Sequence, residues 1–168
     1  MTEHAVLVEV TNQSSWPDLD VDHWAQVVTD TLVGEGVRFG RLDLLFVGTD
    51  EMATLNLEHM GKDGPTDVLS FPLDGGFDAI DLNGGTSDVL SPVPTHLGDV
   101  VVCPQVAGEQ APDHCGELMA ELTLLVVHGV LHVLGHDHAE PDESARMVER
   151  EQVHMARCGF AHPGPVVS

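Results

Sequence analysis

The chain has 168 residues, 42% of them hydrophobic and 20% charged, which is long enough for one domain with a real core and too apolar for wholesale disorder. Six Lys plus Arg stand against 28 Asp plus Glu, giving a formal charge of −22 and a pI near 4.4. A field of that sign repels polyanions and argues against a broad, non-specific nucleic-acid surface, with adaptation to a salty or crowded interior as the other source of the excess.

Cys103, Cys115 and Cys158 are odd in number and contain no CxxC pair, so they predict no disulfide framework and fit a reducing cytoplasm. Met1-Thr2-Glu3-His4 has neither a basic stretch nor an apolar core of signal-peptide type. The longest apolar run is too short for a bilayer and is broken by Thr123, His128 and Gly129. The expectation is a soluble, cytoplasmic protein with no membrane contact.

Val6, Val8 and Val10 alternate with Leu7 and Glu9, predicting an opening strand over Ala5 to Val10. After a break rich in Ser and Pro, Asp20 or Asp22 caps a helix to about Val33, ended by Gly34-Glu35-Gly36. Leu42 to Val47 reads as a strand. Thr49 or Asp50 then caps a helix through about His59, with Asp50 and Glu51 suited to the positive end of its dipole. Gly61 to Thr66 is turn chemistry, Val68 to Phe71 a short strand, and Leu73 to His96 a long hairpin tip or a flap.

Asp99 to Cys103 is a β-branched strand stopped by Pro104, and Ala107 to Cys115 a polar connection. A helix from about Gly116 to Leu134 is apolar almost all round, which marks it as buried and central, and Gly135 suits its C′ position. Pro141 opens a last helix to about Cys158, with Gly159 at C′ and Phe160 placed to pack on Met155. The order, βαβαβββαα or close to it, with no repeat or linker, predicts a single α+β domain over 1–168: a small mixed sheet packed against helices.

Residues 128–138, HGVLHVLGHDH, place four histidines and an aspartate in eleven positions at the end of that apolar helix. Residues four apart lie about 40° apart around a helix and about 6 Å along it, so His128 and His132 can aim at one point. Gly135 lets the backbone turn and bring His138 to the same point. Three neutral imidazoles around one Zn²⁺ leave a position for water, the pattern of a catalytic site, and the ion can lower the pKa of that water to about 7. A closed structural site, with Cys103, Cys115, Cys158 or Asp137 as fourth ligand, is the alternative. Asp137 otherwise orients a ligand imidazole or simply occupies the turn; His136 reads as a surface or pocket histidine. The spacing equals that of metzincin proteases, whose general-base Glu follows the first histidine. Here that position is Gly129, so the peptidase mechanism lacks its base.

The same eleven residues resemble the signature H-G-x-L-H-L-x-G-x-D-H of the YbeY family, metal-dependent endoribonucleases of bacterial ribosomal RNA maturation. Gly64-Pro65-Thr66-Asp67-Val68-Leu69-Ser70-Phe71-Pro72 and Leu97-Gly98-Asp99-Val100-Val101-Val102-Cys103 agree with the family in order and spacing, and the likeness spans residues 40 to 160. It implies one zinc ion per chain held by His128, His132 and His138, a cleft lined by residues 60–72, and single-strand-specific cleavage in maturation of the small-subunit ribosomal RNA 3′ end and in ribosome quality control. It also implies ribosomal proteins or assembly GTPases as partners, and no DNA. Many members carry a phosphate-holding arginine where this chain has Met60; Lys62, Arg38 and Arg41 are the candidate substitutes. The rival expectation is a zinc-stabilised assembly factor that binds ribosomal proteins with little catalysis. No general acid or base is assigned.

Overall fold

Leu42, Leu44 and Phe46 alternate with Arg41, Asp43 and Leu45 along β2 (Phe39–Phe46), so one side of this strand is fully buried and the other is half-open. A computed structural model describes residues 5–16, 19–73, 96–136 and 140–163. Strand β2 lies parallel to β1 (Ala5–Asn12) and to β4 (His96–Val102), while β3 (Val68–Pro72) runs antiparallel to β4. The order β1-β2-β4-β3 is the mixed sheet expected of an α+β domain. Strand β2 starts at Phe39, before the predicted Leu42, because Phe39, Gly40 and Arg41 pair with Ala5, Val6 and Leu7. Lateral pairing, not apolarity, sets that boundary.

Helix α1 (Val21–Gly34) is capped by Asp20, whose Oδ1 accepts from the backbone of Asp22 at 3.1 Å and His23 at 3.3 Å. Helix α2 (Thr49–Met60) starts from Gly48 with no side-chain cap, so neither Thr49 nor Asp50 has the capping role expected of it; Asp50 and Glu51 do fall in its first turn. Helix α3 (Pro104–Gln110) and a 3₁₀ turn (Ala111–Asp113) replace most of the predicted polar connection. Pro104 both stops β4 and begins α3, where its missing N–H has no partner to lose.

Helix α4 (Leu118–Val133) carries the histidine motif, and twelve of its sixteen residues are buried, so it needs apolar side chains on nearly every face. It starts later than Gly116, whose φ of 95° is not helical. At its other end Gly135 takes φ 99°, and the N–H groups of His136 and Gly135 return to Leu131 and His132 oxygens, both at 3.0 Å. This paired ending reverses the chain one residue past Leu134. Helix α5 (Pro141–Arg157) ends the same way, with the Phe160 N–H on the Met155 oxygen at 3.0 Å. Among the described residues no single helix is long and apolar enough to cross a membrane.

Helices α1 and α4 cover one face of the sheet, and their core joins Trp24, Leu32, Leu44, Phe46, Val100 and Leu131. A smaller cluster, Val47, Met52, Leu69, Val101 and Cys103, seats α2 on the other side. Helix α4 lies so close to the sheet that a Cβ on Gly129 would sit 2.5 Å from Val100 Cγ1 and 3.3 Å from Ser70 Oγ. The Ser70 hydroxyl donates to the Gly129 oxygen at 3.1 Å and locks this approach. Alanine is favoured over glycine inside a helix by about 1 kcal/mol, but overpacking against a short, stiff valine costs about 1–3 kcal/mol. Overpacking wins at 2.5 Å. Gly129→Ala is therefore expected to lower the thermal midpoint by a few degrees; a raised midpoint would contradict the close contact.

Candidate active site

Helix α4 brings His128 and His132 together as the four-residue spacing requires. Their ring centroids are 4.6 Å apart with planes at 79°. Both line a cleft of about 390 Å³ whose opposite wall is Asp67 to Ser70 with Pro72 and Met60. His138 and Asp137 lie outside the described residues.

Behind His128 stands Glu151 of α5. His128 Nδ1–H donates to its Oε2 at 2.5 Å, and His162 Nε2–H donates to its Oε1 at 2.8 Å. The Glu151 side chain is only 6% exposed. Burial pushes its carboxyl up, but the hydrogen bonds from His128 and His162 outweigh that and hold it below the usual carboxylate range. An ionised carboxylate only accepts, so Nδ1 carries a proton, and in the neutral imidazole the lone pair then lies on Nε2. A carboxylate behind a ligating imidazole is the arrangement that fixes tautomer and ring angle at metal sites. Two neighbouring imidazoles, one of them so held, fit a borderline divalent cation such as Zn²⁺.

The three cysteines are absent from the cleft lining. Cys103 is buried in the smaller core cluster, and Cys158 packs against the main core. Cys115 lies near Glu121, and burial together with that carboxylate pushes its thiol up to about 12. Two other donor groups stand out among the described residues: His114, Cys115 and Glu121, and Asp43, His96 and Asp99. Each gathers three donor atoms within 4.8 Å and could hold a metal ion. Neither belongs to the cleft, and the second lies on the open sheet face where Arg41 bridges Glu9 and Asp43.

The family model described as Endoribonuclease YbeY matches residues 9–159. The chain belongs to the YbeY family of endoribonucleases. It is 45% identical over 141 residues to the Endoribonuclease YbeY of Salinispora tropica, covering 83% of this chain and 88% of that one. It is 42% identical over 146 residues to that of Kineococcus radiotolerans, covering 83% and 79%. The solution structure of a Thermotoga maritima protein superposes with a TM-score of 0.57 at 23% identity, covering 95% of this chain and all of that one, which supports the α+β fold.

Met60 stands in the cleft wall and is 54% exposed. Arg41 is engaged on the open sheet face by Glu9 and Asp43, and neither Lys62 nor Arg38 is among the lining residues. His136 meets Glu35 instead, with Nε2 at 3.2 Å from Oε1. Sequence reasoning missed Glu151 and His162. A signal for Glu151 was present: Met147, Glu151, His154 and Met155 share the buried face of α5, and an acid in phase with core methionines calls for a buried partner.

Proposed function

We propose that the chain is a zinc-dependent, single-strand-specific endoribonuclease that matures the 3′ end of small-subunit ribosomal RNA and acts in ribosome quality control. His128, His132 and His138 hold the ion, one per chain. The observation that carries the reading is the His128–His132 pair in the cleft, its rings 4.6 Å apart, facing the Asp67–Pro72 wall and backed by Glu151. Bound zinc supplies Lewis-acid polarisation of a phosphoryl oxygen and a water of lowered pKa. The protein's own part is to orient and to shape. Glu151 fixes the His128 tautomer, Ser70 ties the cleft wall to α4, and half-exposed Met60 offers a nucleobase an apolar surface where an arginine would offer phosphate an ion pair.

The test uses purified protein and a 3′-extended small-subunit precursor, with the same segment single-stranded or annealed to its complement. Cleavage of the single strand, lost on chelation and restored by one zinc per chain, is expected. Cleavage indifferent to chelation overturns the metal dependence, and equal cleavage of the duplex overturns the strand preference. Glu151→Gln keeps the side-chain shape but removes the charged acceptor behind His128. It is expected to weaken zinc about 10–100-fold in a competition titration with a chromophoric chelator; unchanged affinity would remove Glu151 from this role.

The charge of −22 favours a second reading, in which an acidic surface holds basic ribosomal proteins or an assembly GTPase and the metal serves stability. A pull-down that retains such a partner from a protein that cleaves no RNA selects it.

A further inference from the structure

One amide joins the cleft to the interior. Gln110, the last residue of α3, has two amide hydrogens: Nε2 donates to Asp67 Oδ2 at 3.0 Å and to Glu121 Oε2 at 2.9 Å. Glu121 is fully buried on α4. His114 Nδ1–H approaches its two oxygens at 2.8 and 3.0 Å, and the Cys115 backbone N–H donates to Oε1 at 3.2 Å. A buried carboxyl group needs hydrogen-bond partners, and Gln110, His114 and the Cys115 backbone N–H supply them around Glu121. Asp67 is pinned on its other side as well, because Oδ1 accepts from the Val68 N–H at 2.7 Å and the Thr66 hydroxyl at 3.3 Å. Its residue lines the cleft with His128 and His132.

We infer that Glu121 and Gln110 form a strut that sets the Asp67 carboxylate against the histidine helix, which makes both of them positioning residues for Asp67. Helix geometry gives the strut its use. Glu121 precedes His128 by seven residues, so the two lie about 20° apart around α4 and about 10 Å apart along it. The helix that carries the histidines thus also carries the anchor of the opposite wall. Together with the Ser70–Gly129 bond, the strut fixes that wall to α4 at two points. The Asp67 carboxylate is then held as an acceptor for the water or ribose hydroxyl that approaches the scissile phosphate. This role rests on the endoribonuclease reading above. A chain of this kind matters because an error of about 1 Å in a reacting group costs up to about 10²-fold in rate.

The experiment is a double-mutant cycle in kcat and KM on a single-stranded oligoribonucleotide, using Asp67→Asn, Gln110→Met and the pair. Gln110→Met keeps the length of the side chain and removes both donors. It is expected to lower kcat about 10–100-fold with KM within about twofold. In the Asp67→Asn background it should lower kcat no further, because the group it positions is already lost. Circular dichroism melts accompany each variant, and should Gln110→Met not fold, Glu121→Gln reads the same split. A Gln110→Met kcat equal to wild type overturns the strut, as does an equal fold-loss in both backgrounds, which would mark Gln110 as merely structural. Wild-type protein that cleaves no RNA overturns the endoribonuclease reading and the strut's role with it; wild-type cleavage with no coupling overturns the strut alone.

Discussion

Replacing His132 by alanine is expected to lower cleavage of single-stranded RNA by about 10³-fold or more while the protein stays folded. The magnitude follows from what the ion would supply, several kcal/mol of transition-state charge stabilisation, with each 1.36 kcal/mol worth about tenfold in rate. His132 lies in the cleft wall beside His128 and is not part of the buried core, so its truncation leaves the packing of α4 intact. Three measurements check the prediction together: cleavage rate, zinc content after dialysis, and the thermal midpoint. Activity and zinc should fall together, with the midpoint of the metal-stripped wild type close to that of metal-stripped His132→Ala. Wild-type cleavage by a zinc-free variant would sink the metal reading.

The largest effect on stability is expected at Glu35, where α1 meets α5. Its side chain is 8% exposed and accepts from Arg150 Nε at 2.7 Å, His154 Nε2 at 2.6 Å and His136 Nε2 at 3.2 Å. Arg157 Nη1 lies 3.2 Å from His154 Nδ1, and the other ring nitrogen, Nε2–H, donates to Glu35. Burial pushes the Glu35 carboxyl up, but His154 and Arg150 outweigh it and bring it down to about 2. Glu35→Ala strands a buried histidine and an arginine, at a cost of about 3–5 kcal/mol, or roughly 10 °C in a chain of this size.

The pH dependence of that contribution has a definite sign. A carboxyl with its folded pKa near 2 and an ordinary value of 4.5 stabilises fully above pH 4.5, and the stabilisation drains away as pH falls toward 2. Acid also relieves the self-repulsion of a chain carrying −22, which works in the opposite direction. The quantity to follow is thus the difference in urea midpoint between wild type and Glu35→Gln. It should be constant above pH 5 and shrink below it. A gap that stays constant down to pH 3 would remove the ionised Glu35 from the account.

How much of this was legible in advance depends on the range of the interaction. The His128–His132 meeting and the αL endings at Gly135 and Gly159 follow from spacing within one turn of chain, and they appear where the sequence places them. So does the burial of α4, since a helix apolar all round has no face to offer solvent. Strand starts were less legible, because Phe39 joins β2 through a partner more than thirty residues away. Helix α3 was hidden in a polar segment whose only fully buried positions are alanine and proline.

The sequence by itself determined the fold class, the helix that carries the histidines, the absence of a protease base at Gly129 and the family signature. Only the tertiary structure decided what stands around those histidines: Glu151 behind His128, Met60 in the wall, and Asp67 held through Gln110 by Glu121. It also changed the meaning of Gly129, from a missing glutamate to a point where α4 and the sheet approach too closely for a Cβ. The physical reason is the same in each case. Spacing along a helix fixes which side chains share its face, whereas a hydrogen bond between α4 and α5, or between α3 and the cleft wall, depends on how those elements pack, and packing is set by the whole core at once.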